Sequence, residues 1–206
     1  MTRISIDNVV RTYKFYAPLY DRLFGAILGP GRYAMAKKVS ILNPLSLLEV
    51  GVGTGLALDQ YPRAAAIVGI DVSHEMLKVA HQRAKRLEGR NIDLLHMNAE
   101  TMSFADSSFD CVTLPYVLSV TPNPEALVAE VRRVCRKGGT ILIVNHFSGS
   151  RFWWLLERAV RSLADRIGFR STFIYDEQIL KYDWEVQSVE DVNLLRLSKL
   201  IVIRNS

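Results

Sequence analysis

From Leu45 onward, short apolar runs alternate with stretches in which apolar residues recur every three to four positions. The runs are 46–50, 66–71, 92–96, 109–114 and 139–145, each of strand length. Runs of this kind, separated by helical patterns, predict five parallel strands covered by helices. After the second run, Ser73 predicts an N-cap for a helix whose Met76, Ala80, Ala84 and Leu87 share a face and which Gly89 ends. Asn123 and Pro124 predict the start of another helix, with Leu127, Val131 and Val134 turned inward and Gly138-Gly139 closing it. Two more strands are predicted near 183–189 and 198–203. No repeat and no Ser/Pro-rich linker interrupts the series, so one compact domain is expected over the 206 residues.

Glycines gather where the first strand gives way to the next helix, in Glu49-Val-Gly51-Val-Gly53-Thr-Gly55. Glycine there lets the backbone turn sharply and approach a ligand closely, and in an open α/β sheet ligands bind in the crevice outside the strand ends. The dinucleotide fingerprint needs a glycine three residues after Gly53, a position that holds Leu56. A pyrophosphate is therefore disfavoured. Glu49 argues the same way, because a carboxylate beside the loop repels phosphate and favours a cation or an amine. A ligand with a sulfonium and an amino-acid tail suits the loop better. At the end of the second strand, Asp71 can accept both hydroxyls of a ribose, or else serve only to cap the helix.

Taken in order, Glu-x-Gly-x-Gly-x-Gly, Gly69-Ile-Asp71 and Asn98-Ala99-Glu100 resemble the class I S-adenosylmethionine-dependent methyltransferases over about residues 45–145. The resemblance implies a Rossmann-like, seven-stranded, mostly parallel sheet with helices on both faces and an N-terminal helical extension. It implies S-adenosylmethionine as cofactor and S-adenosylhomocysteine as its product. By the same resemblance Glu49, Gly51, Gly53 and Gly55 lie against the methionyl part, Asp71 holds the ribose, and Asn98, Ala99 and Glu100 flank the adenine. Val72, Met76 and Pro115 complete the cofactor shell. Two further segments, Phe15-Tyr-Ala-Pro-Leu-Tyr-Asp-Arg-Leu-Phe-Gly25 and Leu114-Pro-Tyr-Val-Leu-Ser-Val-Thr-Pro-Asn-Pro124, look like the subgroup of bacterial phosphatidylethanolamine N-methyltransferases and their quinone-methylating relatives. That likeness places Tyr16 and Tyr20 beside the cofactor. It implies methyl transfer to phosphatidylethanolamine and its mono- and dimethylated forms, with a quinone precursor or another small molecule as the alternative acceptor.

Charge sharpens the picture. The chain has 26 Lys+Arg against 21 Asp+Glu, a net charge of +5. Residues 1–43 hold seven Lys/Arg against Asp7 and Asp21, so this segment carries the whole excess. Ile6, Val9, Val10 and Tyr13 make an apolar stripe there, with Arg11 and Lys14 elsewhere on the wheel and Arg22 beyond Pro18. Two parts are expected: a basic amphipathic helical segment over 1–43, which docks on anionic lipid, covers the cofactor, or does both, and a catalytic region over 44–206. A second basic stretch, 151–170, holds five Arg against Glu157 and Asp165. Read as a helix from Ser150 to Gly168, it sets Trp154 with Arg158 and Arg161 opposite an apolar stripe. That arrangement suits a lipid headgroup layer, or else Trp154 packs on a neighbouring loop. Arg151 is a candidate phosphate partner.

These features predict a monomer that acts on a phospholipid at an anionic membrane surface. No nucleic-acid partner is expected, since no separate recognition domain is evident. The first ten residues lack the apolar core of a secretory signal, no run of 18 uncharged apolar residues could span a bilayer, and Cys111 and Cys135 are the only cysteines. The expected location is the cytoplasm, peripherally on the inner face of the cell membrane. Methyl transfer is an in-line displacement that an enzyme promotes chiefly by positioning. Aromatic faces stabilise the nitrogen as it becomes a fixed cation, which makes Tyr16, Tyr20 and Tyr116 cage candidates. His146, after the fifth strand, is a candidate to take a proton or bind the lipid phosphate, unless it is a hydrogen-bonded structural histidine. The catalytic candidates are thus Tyr20, Tyr116 and His146. His74, His81 and His96 lack metal-ligand spacing, so no metal is expected.

Overall fold

The structure is a computed structural model that describes residues 28–146, 179–193 and 198–206. A helix over 28–42 (α1) leads into β1 (Ser46–Val50), β2 (Ala66–Asp71), α2 (His74–Ala84), β3 (Ile92–His96) and β4 (Phe109–Pro115). Then come α3 (Pro124–Val134), β5 (Cys135–His146), β6 (Glu185–Val192) and β7 (Ser198–Arg204). The seven strands form one open sheet in the order β3-β2-β1-β4-β5-β7-β6. Strands β1 to β5 pair in parallel, and β7 runs antiparallel to both β5 and β6. Among the strands, β7 alone is reversed.

Strand alternation sends side chains to two cores. Leu48, Val50, Val112, Leu114, Ile141 and Ile143 meet Leu127, Val131 and Val134 of α3 on one face. On the other, Leu47, Ile67, Leu142 and Val144 meet Met35 and Val39 of α1 and Leu77 of α2. The sheet is therefore covered on both sides, as its apolar runs require. Part of the basic N-terminal segment thus belongs to the core. The predicted caps are present: the Ser73 side chain accepts from Met76 N–H, and the Asn123 side chain accepts from Ala126 N–H.

Two predicted helix ends are corrected. Helix α2 stops at Ala84, and Leu87 lies in the turns beyond it, where Arg86 N–H and Leu87 N–H donate three residues back, to Arg83 and Ala84 carbonyls. Gly138-Gly139 does not close α3, which ends at Val134; the pair lies within β5. There the pairing with β4 slips, from Phe109 opposite Cys135 to Cys111 opposite Thr140, and the extra residues need the left-handed Gly138, φ 72°. Asn205 does the capping instead: its Nδ2 donates to the carbonyls of Arg132 at 3.0 Å and Cys135 at 2.7 Å. The predicted amphipathic stripe near Ile6 and the predicted helix over 151–168 lie outside the described residues. Among the described residues, no helix is long and apolar enough to cross a membrane.

Candidate functional site

Strand order reverses at β1, which has β2 on one side and β4 on the other, and a crevice opens at the carboxyl ends of these strands. The chain leaves β1 through three left-handed glycines, Gly51 (φ 69°), Gly53 (φ 54°) and Gly55 (φ 78°). Ile70 O accepts from both Gly51 N–H at 2.8 Å and Val52 N–H at 2.9 Å, which pins the loop to β2. A Cβ on Gly51 would overlap Val117, and one on Gly55 would meet Leu58 Cδ1 at 2.7 Å. A Cβ on Gly53 would meet nothing within 4 Å. Packing thus demands glycine at 51 and 55, whereas Gly53 keeps space open for a ligand.

Asp71 closes the loop from the other side. Its Oδ2 accepts from Gly53 N–H at 2.9 Å and its Oδ1 from Ser73 N–H at 2.8 Å. Burial raises its pKa, and these backbone bonds oppose the rise. Asp71 thus tightens the turn into α2 and borders the crevice. Asn98 Oδ1 accepts from Glu100 N–H at 2.9 Å, and Glu100 Oε1 accepts from Thr121 Oγ1 at 2.6 Å and Asn123 N–H at 2.8 Å. Glu100 thereby ties the segment after β3 to the segment after β4.

The cleft is lined from four segments: Gly51 and Gly53; then Asp71, Val72 and Met76; then Met97, Asn98, Ala99 and Glu100; then Pro115, Tyr116, Val117, Val120 and Thr121. Residues predicted from separate motifs thus meet in one place. Glu49 and Gly55 do not line it. Glu49 is 1% exposed, behind the loop, and its Oε2 has no hydrogen-bond partner. Burial pushes the Glu49 carboxyl up to about 8, although Tyr61 and Arg32 draw it down. Burial thus favours its neutral form. An orphaned buried oxygen beside an open glycine loop fits a ligand that brings a cationic donor.

Tyr116 is buried with its hydroxyl turned away from solvent: it donates to Leu28 O at 3.2 Å and accepts from Asn193 Nδ2 at 2.9 Å. His146 ends β5 opposite Ser198, and its side chain is not among those described. Tyr16, Tyr20, Arg11, Lys14, Arg22, Arg151, Trp154, Arg158 and Arg161 lie outside the described residues. The stacked rings of His74 and His96 stand 3.6 Å apart, with His96 Nε2 2.9 Å from Val72 O. Among the described residues, no three His, Cys, Asp or Glu side chains are grouped as a metal site requires. Both cysteines are buried thiols, and burial pushes Cys135 up to about 12. Sequence reasoning missed Val117, Val120 and Thr121, although they stand in a segment it had singled out. It also missed Arg32, Tyr61 and Asn193, which carry no motif.

Comparison with known proteins adds four findings. A methyltransferase-domain family profile matches residues 48–143. The chain is 38% identical, over 82% of its own length and 84% of the other's, to a phosphatidylethanolamine N-methyltransferase of Cereibacter sphaeroides. It is 26% identical to a demethylmenaquinone methyltransferase of Lactococcus lactis, over 93% of this chain and 78% of that one. Among solved structures, an S-adenosylmethionine-dependent methyltransferase of Methanosarcina mazei superposes with a TM-score of 0.61 at 20% identity, over 78% of this chain and 92% of that one. At that identity the likeness is one of fold.

Proposed function

The chain belongs to the S-adenosylmethionine-dependent methyltransferases, and from that premise we propose that it methylates the amine of phosphatidylethanolamine and its mono- and dimethylated forms, towards phosphatidylcholine. The observation that carries the proposal is the 38% identity to the Cereibacter sphaeroides enzyme over 172 residues, well beyond the 48–143 segment that methyltransferases share. Bound S-adenosylmethionine supplies an electrophilic methyl group on a sulfonium sulfur. Gly51 and Gly53 would admit its methionyl part, with the buried Glu49 carboxyl behind the loop favouring its ammonium group; Asp71 would hold its ribose, and Asn98, Ala99 and Glu100 would border its adenine. Pro115, Val117 and Val120 present apolar surface that excludes water from the reacting pair.

On the acceptor side the chain has to hold a neutral amine in line and remove its proton. His146 takes that proton or binds the lipid phosphate, and Tyr16, Tyr20 and Tyr116 offer aromatic surface to the methylated nitrogen. Arg11, Lys14, Arg22, Arg151, Arg158 and Arg161, with Trp154, hold a monomer peripherally on anionic lipid, each cation contributing about 1 kcal/mol near the surface. The test is transfer of labelled methyl from S-adenosylmethionine to vesicles of phosphatidylethanolamine and phosphatidylglycerol, with chromatographic separation of the lipids. Labelled mono-, di- and trimethylated lipid is expected. Unlabelled lipid, from protein that demonstrably binds S-adenosylhomocysteine, refutes the proposal. The Lactococcus lactis likeness favours a second reading, a quinone precursor as acceptor; label in demethylmenaquinone with none in phospholipid would establish it.

A further inference from the structure

Three stretches of chain far apart in sequence meet at one side chain. Asn193, in the turn after β6, accepts from Gly31 N–H through Oδ1 at 2.6 Å. Its Nδ2 donates to Tyr116 Oη at 2.9 Å and to Ser198 Oγ at 2.8 Å. Every polar atom of the amide is used, and the Gly31 donor fixes which way it points. Tyr116 Oη in turn donates to Leu28 O at 3.2 Å. Gly31 has no room for a side chain: a Cβ there would overlap Tyr116 Oη and lie 3.2 Å from Asn193 Oδ1. The start of α1, the segment after β4 and the β6–β7 connection are thus keyed together.

Backbone strain marks the same place. Tyr116 has φ 62° and Asn193 has φ 69°, both in the left-handed region. Asparagine enters it readily, but for a tyrosine the conformation costs about 1–3 kcal/mol and persists only where the surroundings over-determine it. Tyr116 is held at both ends: its N–H donates to Val144 O at 2.7 Å, and its hydroxyl lies in the Asn193 cluster. Its neighbours Pro115 and Val117 both line the cleft. The polar side chains assigned to the cofactor, Glu49, Asp71, Asn98 and Glu100, stand on other segments. A loosened Tyr116 therefore acts on alignment for transfer more than on cofactor binding.

We propose that Asn193 is a positioning residue for methyl transfer: through the Tyr116 hydroxyl it locks the segment after β4 that walls the cleft and fixes the start of α1 against it. The proposal rests on membership of the methyltransferase family and not on which acceptor is used. Asn193→Gly keeps the left-handed backbone accessible while it removes the amide, and Tyr116→Phe removes the hydroxyl. Each is expected to lower kcat on phosphatidylethanolamine–phosphatidylglycerol vesicles about ten-fold, the scale of one lost buried hydrogen bond, while S-adenosylhomocysteine affinity measured by calorimetry stays close to wild type. The double variant is expected to be slower by less than the product of the two single losses, since the Asn193–Tyr116 bond is lost in both. Amide exchange in the 115–121 peptide is expected to accelerate in Asn193→Gly, with β1 and β2 protection retained. Cofactor affinity falling in step with kcat, losses that multiply in the double variant, or unchanged exchange at 115–121 would each overturn the proposal. A wild-type enzyme inactive on these vesicles refutes the lipid reading alone, because exchange and cofactor binding need no acceptor.

Discussion

Glu49 binds its proton more tightly in the folded chain than in the unfolded one, because burial raises it from the ordinary 4.5 to about 8. Across that window the folded state holds a proton that the unfolded state has released, so this group favours folding at low pH and loses that contribution as pH rises to about 8. Glu49→Gln removes the slope. Its melting temperature relative to wild type is expected to climb between pH 5 and pH 8 and to level off above; a difference constant with pH would refute the assignment. The same variant is expected to bind S-adenosylmethionine about ten-fold more weakly at pH 8.5, having lost a charge-assisted bond to the amine. The glycine loop separates two further effects. Gly53→Ala costs only the left-handed strain, about 1–2 kcal/mol, yet fills cleft space; titrated with S-adenosylhomocysteine, it should fold and bind poorly. Gly51→Ala, which also overlaps Val117, should lose more stability in urea. The spacing of Glu49, Gly51, Gly53 and Asp71 was legible because backbone geometry at a strand end restricts residue types. The raised pKa of Glu49 was not, because it depends on how completely other elements bury the side chain.

At the level of elements, period and caps were legible wherever the forces are local. Ser73 and Asn123 cap the helices they precede, and β1, β2 and β3 span the residues that their apolar runs mark. The end of α3 was illegible because a distant residue supplies it. Gly138-Gly139 has the look of a helix terminator, but Asn205 takes up the carbonyls of Arg132 and Cys135, which frees the glycines for the slipped start of β5. Asn205 is 4% exposed, so replacing it strands buried acceptors. Asn205→Ala is expected to lower unfolding free energy by about 2 kcal/mol in urea, with the slope of the transition unchanged. A cost below about 0.5 kcal/mol would show that the carbonyls find other partners.

Over the whole molecule, the positive charge of residues 1–43 divides in two. On α1, Lys38 pairs with Glu190 at 2.5 Å and Arg32 is buried near Glu49, so these cations serve the fold. If the chain docks on lipid electrostatically, the attraction falls to the exposed Lys37, to cations that precede α1 and to the arginines of 151–170. Binding to phosphatidylglycerol vesicles in a sedimentation assay is expected to be lost near 1 M salt, where the screening length is about 3 Å. Retention there would mean that apolar insertion dominates. The sheet order has a consequence in time as well. Strand β6 leaves the ribosome before β7, yet its neighbour in the finished sheet is β7, which itself sits against β5. Until residues 198–204 emerge, β6 has nothing to pair with, and the Ile141–Val144 run of β5 faces outward as an open, apolar edge. Synthesis of this chain therefore passes through an interval in which the parallel half of the sheet can form but is exposed to association with other chains, and the reversed strand ends that interval.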